Sequence, residues 1–187
     1  MRIIAGRFKG RALGAPRGLA TRPTSDRVRE ALFSILGDVE DLPVLDLYAG
    51  SGALGLEALS RGAVSATFVE EARAPLLALR ANVAELGVSD QATVIGADVR
   101  AAIRRLARES ARFGIVFADP PYADRDTPGT LEALLASGIV LDGGWIVLEH
   151  AAKTAPPGGG ARLALRFTRV YGDTALSFYR HSTTETA

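Results

Sequence analysis

Short apolar runs alternate with amphipathic segments between residues 44 and 149 of the chain. The short runs are typical of buried β-strands. Between them, apolar residues recur every three or four positions, which predicts helices with one buried face. This alternation predicts a parallel sheet covered by helices on both faces. The predicted strands are 44–49, 66–70, 92–96, 113–118 and 144–149, and the predicted helices are 53–61 and the segments around Leu79, Ile103 and Leu134.

The two ends of the chain follow different patterns. Residues 2–14 alternate weakly around Gly6 and Gly10, which indicates a short hairpin, and the segment after Thr24 has the apolar spacing of a helix face. Residues 163–179 alternate on either side of the turn Gly172-Asp173, which predicts a second, antiparallel hairpin. We therefore expect an α/β fold with a seven-stranded, mostly parallel sheet. The sheet ends in the antiparallel hairpin and is preceded by a small hairpin-and-helix extension.

Composition excludes several classes of protein. The chain has 187 residues, no cysteine and only two histidines, His150 and His181, which are far apart. A disulfide framework and a zinc–thiolate site are therefore excluded, and a histidine-rich metal site is disfavoured. No apolar stretch is long enough to span a membrane, and residues 1–10 lack the apolar core of a signal peptide. We expect a cytoplasmic, soluble monomer without a bound metal.

Positive charge is concentrated at the N-terminus. Residues 1–30 carry eight basic and two acidic side chains, a net charge of +6, so the remainder carries −5. A basic arm on an acidic body is typical of nucleic-acid binding, although an arginine-rich solvated surface has the same composition. We interpret residues 1–40 as a nucleic-acid-binding extension. Its candidate phosphate contacts are Arg7, Lys9, Arg11, Arg22, Arg27 and Arg29.

A glycine-rich segment follows the first predicted strand and opens a helix. Its sequence runs Asp46-Leu-Tyr-Ala-Gly50-Ser-Gly52-Ala-Leu-Gly55. Gly50 and Gly52 allow close approach of the backbone to a ligand, and the free N–H groups of the following helix favour an anionic group. That group is a pyrophosphate in dinucleotide enzymes, but a carboxylate fits equally well. A tight strand–helix turn without a ligand is the alternative.

Two acidic residues follow the next two predicted strands. Glu70 ends the second strand about 20 residues after the glycine loop, where a carboxylate can accept both hydroxyls of a ribose. Asp98 follows the third strand and can accept from an adenine amino group. Each residue alone is also explained as a helix N-cap, above all Asp98. Together they predict a nucleoside site at the carboxyl edge of the sheet.

The fourth predicted strand ends in Asp119-Pro120-Pro121-Tyr122. Prolines stiffen this turn and lack N–H donors, so the Pro120 carbonyl is available to a ligand beside the Asp119 carboxylate. Two converging acceptors suit a planar NH₂ group, and Tyr122 offers a face on which a base can stack. The alternative is a rigid proline turn without a ligand. The strand context and the nearby glycine loop favour a catalytic site.

Taken together, these motifs resemble those of the class I methyltransferases that act on amino nitrogens. Segments 2–11, 22–33 and 45–63 resemble the RsmD family in particular. The resemblance implies a Rossmann-like catalytic domain over residues 41–187 and S-adenosylmethionine as cofactor. The implied reaction is methylation of a guanine N2 in 16S rRNA, within the small ribosomal subunit or its assembly intermediate. Some relatives carry phenylalanine at the position of Tyr122, so its hydroxyl receives no role.

The same resemblance implies specific site residues. The implied catalytic residues are Asp119, Pro120, Pro121 and Tyr122, and the implied cofactor contacts are Asp46, Tyr48, Gly50, Ser51, Gly52, Glu70, Asp98, Val99 and Asp119.

Three other functions remain open from the residues. An adenine-N6 methyltransferase shares the Asp-Pro-Pro-Tyr motif. An NAD-dependent dehydrogenase shares the glycine spacing and Glu70, but it leaves the motif at 119–122 without a role. A non-catalytic RNA-binding module explains the basic arm but neither of the two motifs. Cofactor binding distinguishes a methyltransferase from a dehydrogenase and from a binding module.

Overall fold

The computed structural model describes residues 1–15, 26–121, 127–158, 160 and 162–183. The predicted helix cap at Thr24, the candidate phosphate contact Arg22 and the stacking residue Tyr122 lie outside these residues. Within the described part of the chain, no helix is both long and apolar enough to cross a membrane.

A single mixed sheet forms the centre of the molecule. Its strands are β1 (Pro43–Leu47), β2 (Ser65–Val69), β3 (Ala92–Ile95), β4 (Phe113–Ala118), β5 (Val140–Ala151), β6 (Leu163–Tyr171) and β7 (Thr174–His181). The helices are α1 (Asp26–Leu36), α2 (Ala53–Ser60), α3 (Arg73–Leu86), α4 (Val99–Arg108) and α5 (Thr127–Ser137).

The strand order is β3-β2-β1-β4-β5-β7-β6. Strands β1 to β5 run parallel, and β7 pairs antiparallel with both β5 and β6. This topology confirms the predicted parallel sheet with a terminal antiparallel hairpin. Because β1 and β4 are neighbours, with Leu47 opposite Ala118, the segments that follow them emerge side by side at the carboxyl edge. In open α/β sheets, ligands bind at this edge, where the strand order reverses.

Alternation along the strands divides the core into two layers. On β1, Val44 faces one layer, while Leu45 and Leu47 face the other. The first layer contains the apolar residues of α1, α2, α3 and the N-terminal hairpin, and we name it the hairpin face. The second layer contains those of α4 and α5, and we name it the α4–α5 face.

Residues 1–15 fold back onto the hairpin face. The antiparallel bridge between Arg2 and Ala12 confirms the predicted hairpin. Ile3 and Leu13 are buried in the same core as the sheet, so apolar packing holds the hairpin to the body. The buried Glu57 of α2 adds polar contacts, because its carboxylate accepts from the backbone N–H groups of residues 4 and 5 at 2.7 and 3.0 Å.

The fifth strand begins earlier than the sequence pattern predicts. It starts at Val140 rather than at residue 144, and its pairing with β4 shifts register between Phe113 and Ile115. The exposed residues Asp142 and Gly143 conceal this beginning, because they break the apolar run. Further along β5, Trp145 packs on the C-terminal hairpin formed by β6 and β7. Its ring centroid lies 6.3 Å from that of Phe178.

Candidate active site

The loop after β1 has the backbone shape that its glycines predict. Tyr48, Gly50 and Gly52 have φ values of 60°, 57° and 87°, which is the left-handed region. The φ of Gly52 would strain any other residue, and a Cβ there would also lie 2.4 Å from the Leu79 side chain, so glycine is strongly favoured. A Cβ at Gly50 would meet no described atom within 4 Å, which leaves this side of the loop open to a ligand.

Asp46 joins β1 to the first turn of α2. Its buried carboxylate accepts from the Gly55 N–H at 2.9 Å. Gly55 is required here, because an added Cβ would lie 2.3 Å from the Phe68 ring. Burial raises the pKa of Asp46 to about 7; the Gly55 bond opposes the increase and the negative charge of Glu70 adds to it. Asp46 therefore orients the helix that follows the glycine loop.

Glu70 contacts the glycine loop directly. One carboxylate oxygen accepts from the Gly50 N–H at 2.8 Å, and the other accepts from the Ala72 N–H at 2.7 Å. These two bonds fix the orientation of a half-buried carboxylate at the carboxyl edge. Since each oxygen has further acceptor capacity, the arrangement suits a ligand with neighbouring hydroxyl groups.

The other predicted cofactor contacts lie around this loop. Asp98 caps α4, because its carboxylate accepts from the Ala101 N–H at 2.9 Å, as the N-cap interpretation predicts. Val99 is buried in the core of the α4–α5 face. The Tyr48 hydroxyl oxygen lies 3.2 Å from that of Thr130 on α5. The cofactor contacts at these positions stay predictions.

Three carboxylates meet where β1, β4 and β5 end. The pairing of Ala118 with Leu148 places Asp119 and Glu149 at the same level of neighbouring strands. Burial raises the pKa of Asp119 well above its ordinary value, and the charges of Glu149 and Asp46 act in the same direction. The site therefore concentrates acidic groups whose charged forms disfavour one another. A cationic ligand would stabilise the charged forms, whereas a pyrophosphate would not.

Glu149 is a site residue that the predicted set omits. It is 5% exposed and follows the apolar run of β5. An acidic residue at the end of an apolar strand run is the signal that selected Glu70, and the same reasoning would have selected Glu149 at the end of the predicted strand 144–149.

Asn82 connects the glycine loop to the N-terminal hairpin. Its amide group donates to the Ser51 carbonyl at 2.9 Å and to the Gly14 carbonyl at 3.0 Å. Its carbonyl accepts from the Gly14 N–H at 2.7 Å. Asn82 is 2% exposed, so these contacts are shielded from water. A polar residue on the buried face of α3 is the sequence signal for such a connection.

The candidate phosphate contacts occupy different environments. Lys9 and Arg27 are exposed. Arg7 donates to the side-chain carbonyl of Gln91, and Arg11 donates to the Glu85 carbonyl at 3.0 Å. The protein itself therefore occupies part of the donor capacity of these two exposed arginines.

Arg29 is a correction to the predicted phosphate contacts. It is fully buried, and its guanidinium donates to the Arg2 carbonyl and to the Asp26 carboxylate, both at 2.7 Å. A side chain without exposed surface cannot touch an RNA phosphate. The structure instead gives Arg29 a packing role, fixing α1 to the N-terminal hairpin. The apolar spacing of α1 could not reveal this, because a long basic side chain normally lies on the solvent side.

A large open groove lies elsewhere, between α4 and α5. Its volume is about 870 Å³, and none of the predicted site residues lines it. Over the described part of the chain, no group of three or more histidine, cysteine, aspartate or glutamate residues has the arrangement of a metal site.

Comparisons with known proteins add to this geometry. The family model described as Conserved hypothetical protein 95 matches residues 1–180. Ribosomal RNA small subunit methyltransferase D of Escherichia coli K12 is 39% identical over 181 residues, covering 96% of this chain and 89% of that protein. The solved structure of the Escherichia coli protein yhhF is 38% identical with a TM-score of 0.86, covering 98% of this chain and 99% of that chain.

A more distant similarity concerns the fold alone. A candidate S-adenosylmethionine-dependent methyltransferase from Streptococcus mutans has a TM-score of 0.68 at 17% identity, covering 82% of this chain and 48% of that chain. The fold is therefore that of the class I methyltransferases. Within this class, the chain belongs to the ribosomal RNA small subunit methyltransferase D (RsmD) family, which confirms the resemblance seen in its motifs.

Proposed function

We propose that this protein transfers a methyl group from S-adenosylmethionine to the exocyclic N2 of a guanine in 16S rRNA. The observation that carries the proposal is the position of Asp119-Pro120 beside the glycine loop, at the end of neighbouring strands. The name of the Escherichia coli relative supports rRNA of the small subunit as substrate. Guanine N2 follows from the resemblance of the motifs.

The residues at the carboxyl edge fit this cofactor. Glu70 offers acceptors for ribose hydroxyls, and the open side of Gly50 leaves room for a ligand against the backbone. A positive sulfonium would stabilise the charged forms of the neighbouring acidic groups Asp46, Asp119 and Glu149, which burial and mutual repulsion disfavour. When bound, S-adenosylmethionine supplies an electrophilic methyl group. A dehydrogenase is disfavoured, because its anionic pyrophosphate would be repelled by the same carboxylates.

Asp119 and the Pro120 carbonyl orient the acceptor nitrogen. The lone pair of an exocyclic amino group is delocalised into the ring, so the nitrogen is a poor nucleophile. Two acceptors that hold its hydrogens turn the lone pair toward the methyl group, and such positioning contributes several kcal/mol to catalysis. They also stabilise the positive charge that develops on the nitrogen.

Removal of the amino proton and stacking of the RNA base involve further groups. Formation of the nitrogen–carbon bond would be accompanied by cleavage of the sulfur–methyl bond, with S-adenosylhomocysteine as the neutral leaving group. The positively charged nitrogen would then lose one proton to Asp119 or to water. The raised pKa of Asp119 makes this carboxylate a better proton acceptor than an ordinary aspartate. Tyr122 would stack on a base that has been extruded from its helix.

The proposed RNA contacts lie in residues 1–40. Lys9 and Arg27 are exposed, and Arg7 and Arg11 lie at the surface despite their contacts with the protein. Loss of these charges should weaken RNA binding in a salt-dependent manner. If reversing them left affinity unchanged at moderate salt, this extension would not be the RNA-binding surface.

The test is methyl transfer from labelled S-adenosylmethionine to small ribosomal subunits prepared without the modification, followed by nucleoside analysis. We expect label in N2-methylguanosine and its loss in Asp119→Ala. Asp90→Ala, at an exposed aspartate before β3, serves as the matched control and should retain activity. Label in N6-methyladenosine would instead establish the adenine alternative. Cofactor binding without label in RNA would contradict the rRNA assignment.

A further inference from the structure

The groove between α4 and α5 has a distinctive lining. Arg100, Arg104 and Arg108 form one wall, while small side chains such as Ala107 and Ala133 lie between the helices. The three arginines are four residues apart, so the helix rise places their backbone positions about 6 Å apart in one row. Such a row presents repeated positive charge along a single line.

The groove contains little compensating charge. Glu132 is the one acidic residue among the described residues that line it. The ion pair between Arg105 and Glu109 is not part of the groove. Arg105 donates to the Glu109 carboxylate at 2.8 Å and does not line the groove. Arg104 and Arg108 are exposed. The groove thus has a net positive charge in a body that is acidic overall.

The position of the groove relates it to the active site. Arg100 lies in the first turn of α4, just after Asp98 at the carboxyl edge. Gly129 lies in the first turn of α5, which is the first helix after Asp119 and Pro120 in the chain. The groove therefore begins beside the active-site edge and runs along α4 toward Arg108.

We propose that this groove binds the phosphate backbone of the substrate RNA next to the modified base. The inference rests on the proposed function, since it assumes RNA at the active site. A row of guanidinium groups in an open groove complements a chain of phosphates, which arginine binds with charge-assisted hydrogen bonds. The protein then holds RNA on both faces of its sheet, with the active-site edge between them.

The experiment compares charge reversals on the same helix. Arg104→Glu combined with Arg108→Glu alters the groove, and Arg105→Glu is the control that reverses a charge on the same helix outside it. Arg104→Glu alone is the variant with the same change in charge as the control. Binding of unmodified 16S rRNA is measured over a series of salt concentrations, with methyl transfer to unmodified subunits measured in parallel. Thermal unfolding and S-adenosylhomocysteine binding are measured for each variant, to verify that fold and cofactor site are intact.

We expect the groove variant to bind RNA on the order of tenfold more weakly at moderate salt. Its plot of log affinity against log salt should be shallower by roughly 0.7–0.9 for each phosphate that the variant no longer binds. The control should retain most of the wild-type affinity. Equal affinities and slopes for the groove variant and the control would overturn the inference.

Three further results separate this inference from the proposed function. If the wild-type protein methylates subunits and the groove variant binds RNA as the control does, only the proposal about the groove is refuted. Normal binding of naked RNA with loss of binding to subunits would also refute it, and would assign the groove to an acidic ribosomal protein. Wild-type protein that methylates no RNA would refute the proposed function itself.

Discussion

The two faces of the sheet carry positive charge in different ways. On the hairpin face, Arg29 is buried, and Arg7 and Arg11 bond to groups of the protein. On the α4–α5 face, Arg104 and Arg108 are exposed along an open groove. The sequence distribution of charge favours the first face for RNA, but the contacts show that many of its donors hold the fold together. Charge density along a chain therefore does not indicate which charges are available to a partner.

The largest expected effect on stability comes from replacing Glu57, which forms an ion pair with Arg61 on the hairpin face. Glu57 is fully buried and accepts from the Arg61 side chain at 2.7 Å as well as from two backbone N–H groups. We expect Glu57→Ala to lower the free energy of unfolding by about 3–5 kcal/mol, because it leaves buried donors without an acceptor. Urea unfolding measures this loss. A loss below about 1 kcal/mol would show that the hairpin is not held by this carboxylate.

The buried charge of Asp46 predicts a pH dependence. Its pKa is about 7 in the folded protein against 3.8 ordinarily, so the folded state retains the proton over this range and stability falls as pH rises from about 4 to 7. Asp46→Asn removes the charge and retains an acceptor for Gly55. We expect the variant to be more stable above neutral pH by at most about 4 kcal/mol, with the difference disappearing near pH 4. Urea unfolding at several pH values measures it; a pH-independent difference would contradict the prediction.

Asn82 tests whether the hairpin face and the cofactor loop are connected. We expect Asn82→Ala to cost about 1–3 kcal/mol of stability, because Gly14 and Ser51 lose buried hydrogen-bond partners. We also expect weaker binding of S-adenosylhomocysteine, measured by calorimetry. Gln91→Ala, which removes the contact of Arg7 near β3, is the control that should leave cofactor affinity unchanged. Unchanged affinity in Asn82→Ala would mean that the connection is purely structural.

The smallest expected effect is on the ion pair of the α4–α5 face. Arg105 and Glu109 have the same i,i+4 spacing as Glu57 and Arg61, but both are about half exposed. Water and salt screen such a pair, so we expect a double-mutant cycle to give about 0.3–0.5 kcal/mol. Thermal unfolding of the two alanine variants and the double variant measures it. A coupling as large as that of the buried pair would remove the distinction between the two faces.

Much of the fold was predictable because its signals are local. The apolar runs predict strands to within a few residues, and the glycines of the loop after β1 have the positive φ values that such a turn requires. The neighbouring positions of the glycine loop and Asp119 also follow from the strand order of open α/β folds.

Apart from Glu149, which a local signal could have selected, the features that were missed depend on contacts between distant segments. The burial of Arg29 depends on the hairpin that covers it, and Asn82 bonds to residues 31 and 68 positions away. The start of β5 depends on pairing with β4 through a register shift, which no local pattern shows. Tertiary packing decides these cases, and a single sequence does not display it.

The hydrogen bonds of Asn82 have a consequence for protein engineering. Because one side chain joins Gly14 to the loop at Ser51, residues 1–15 do not form an interchangeable module. A chimera that receives this segment from a relative would also need compatible partners at Asn82, Glu57 and Ser60, whose side chains bond to the hairpin. A functional exchange of this segment would then require exchange of the supporting surfaces of α2 and α3 as well.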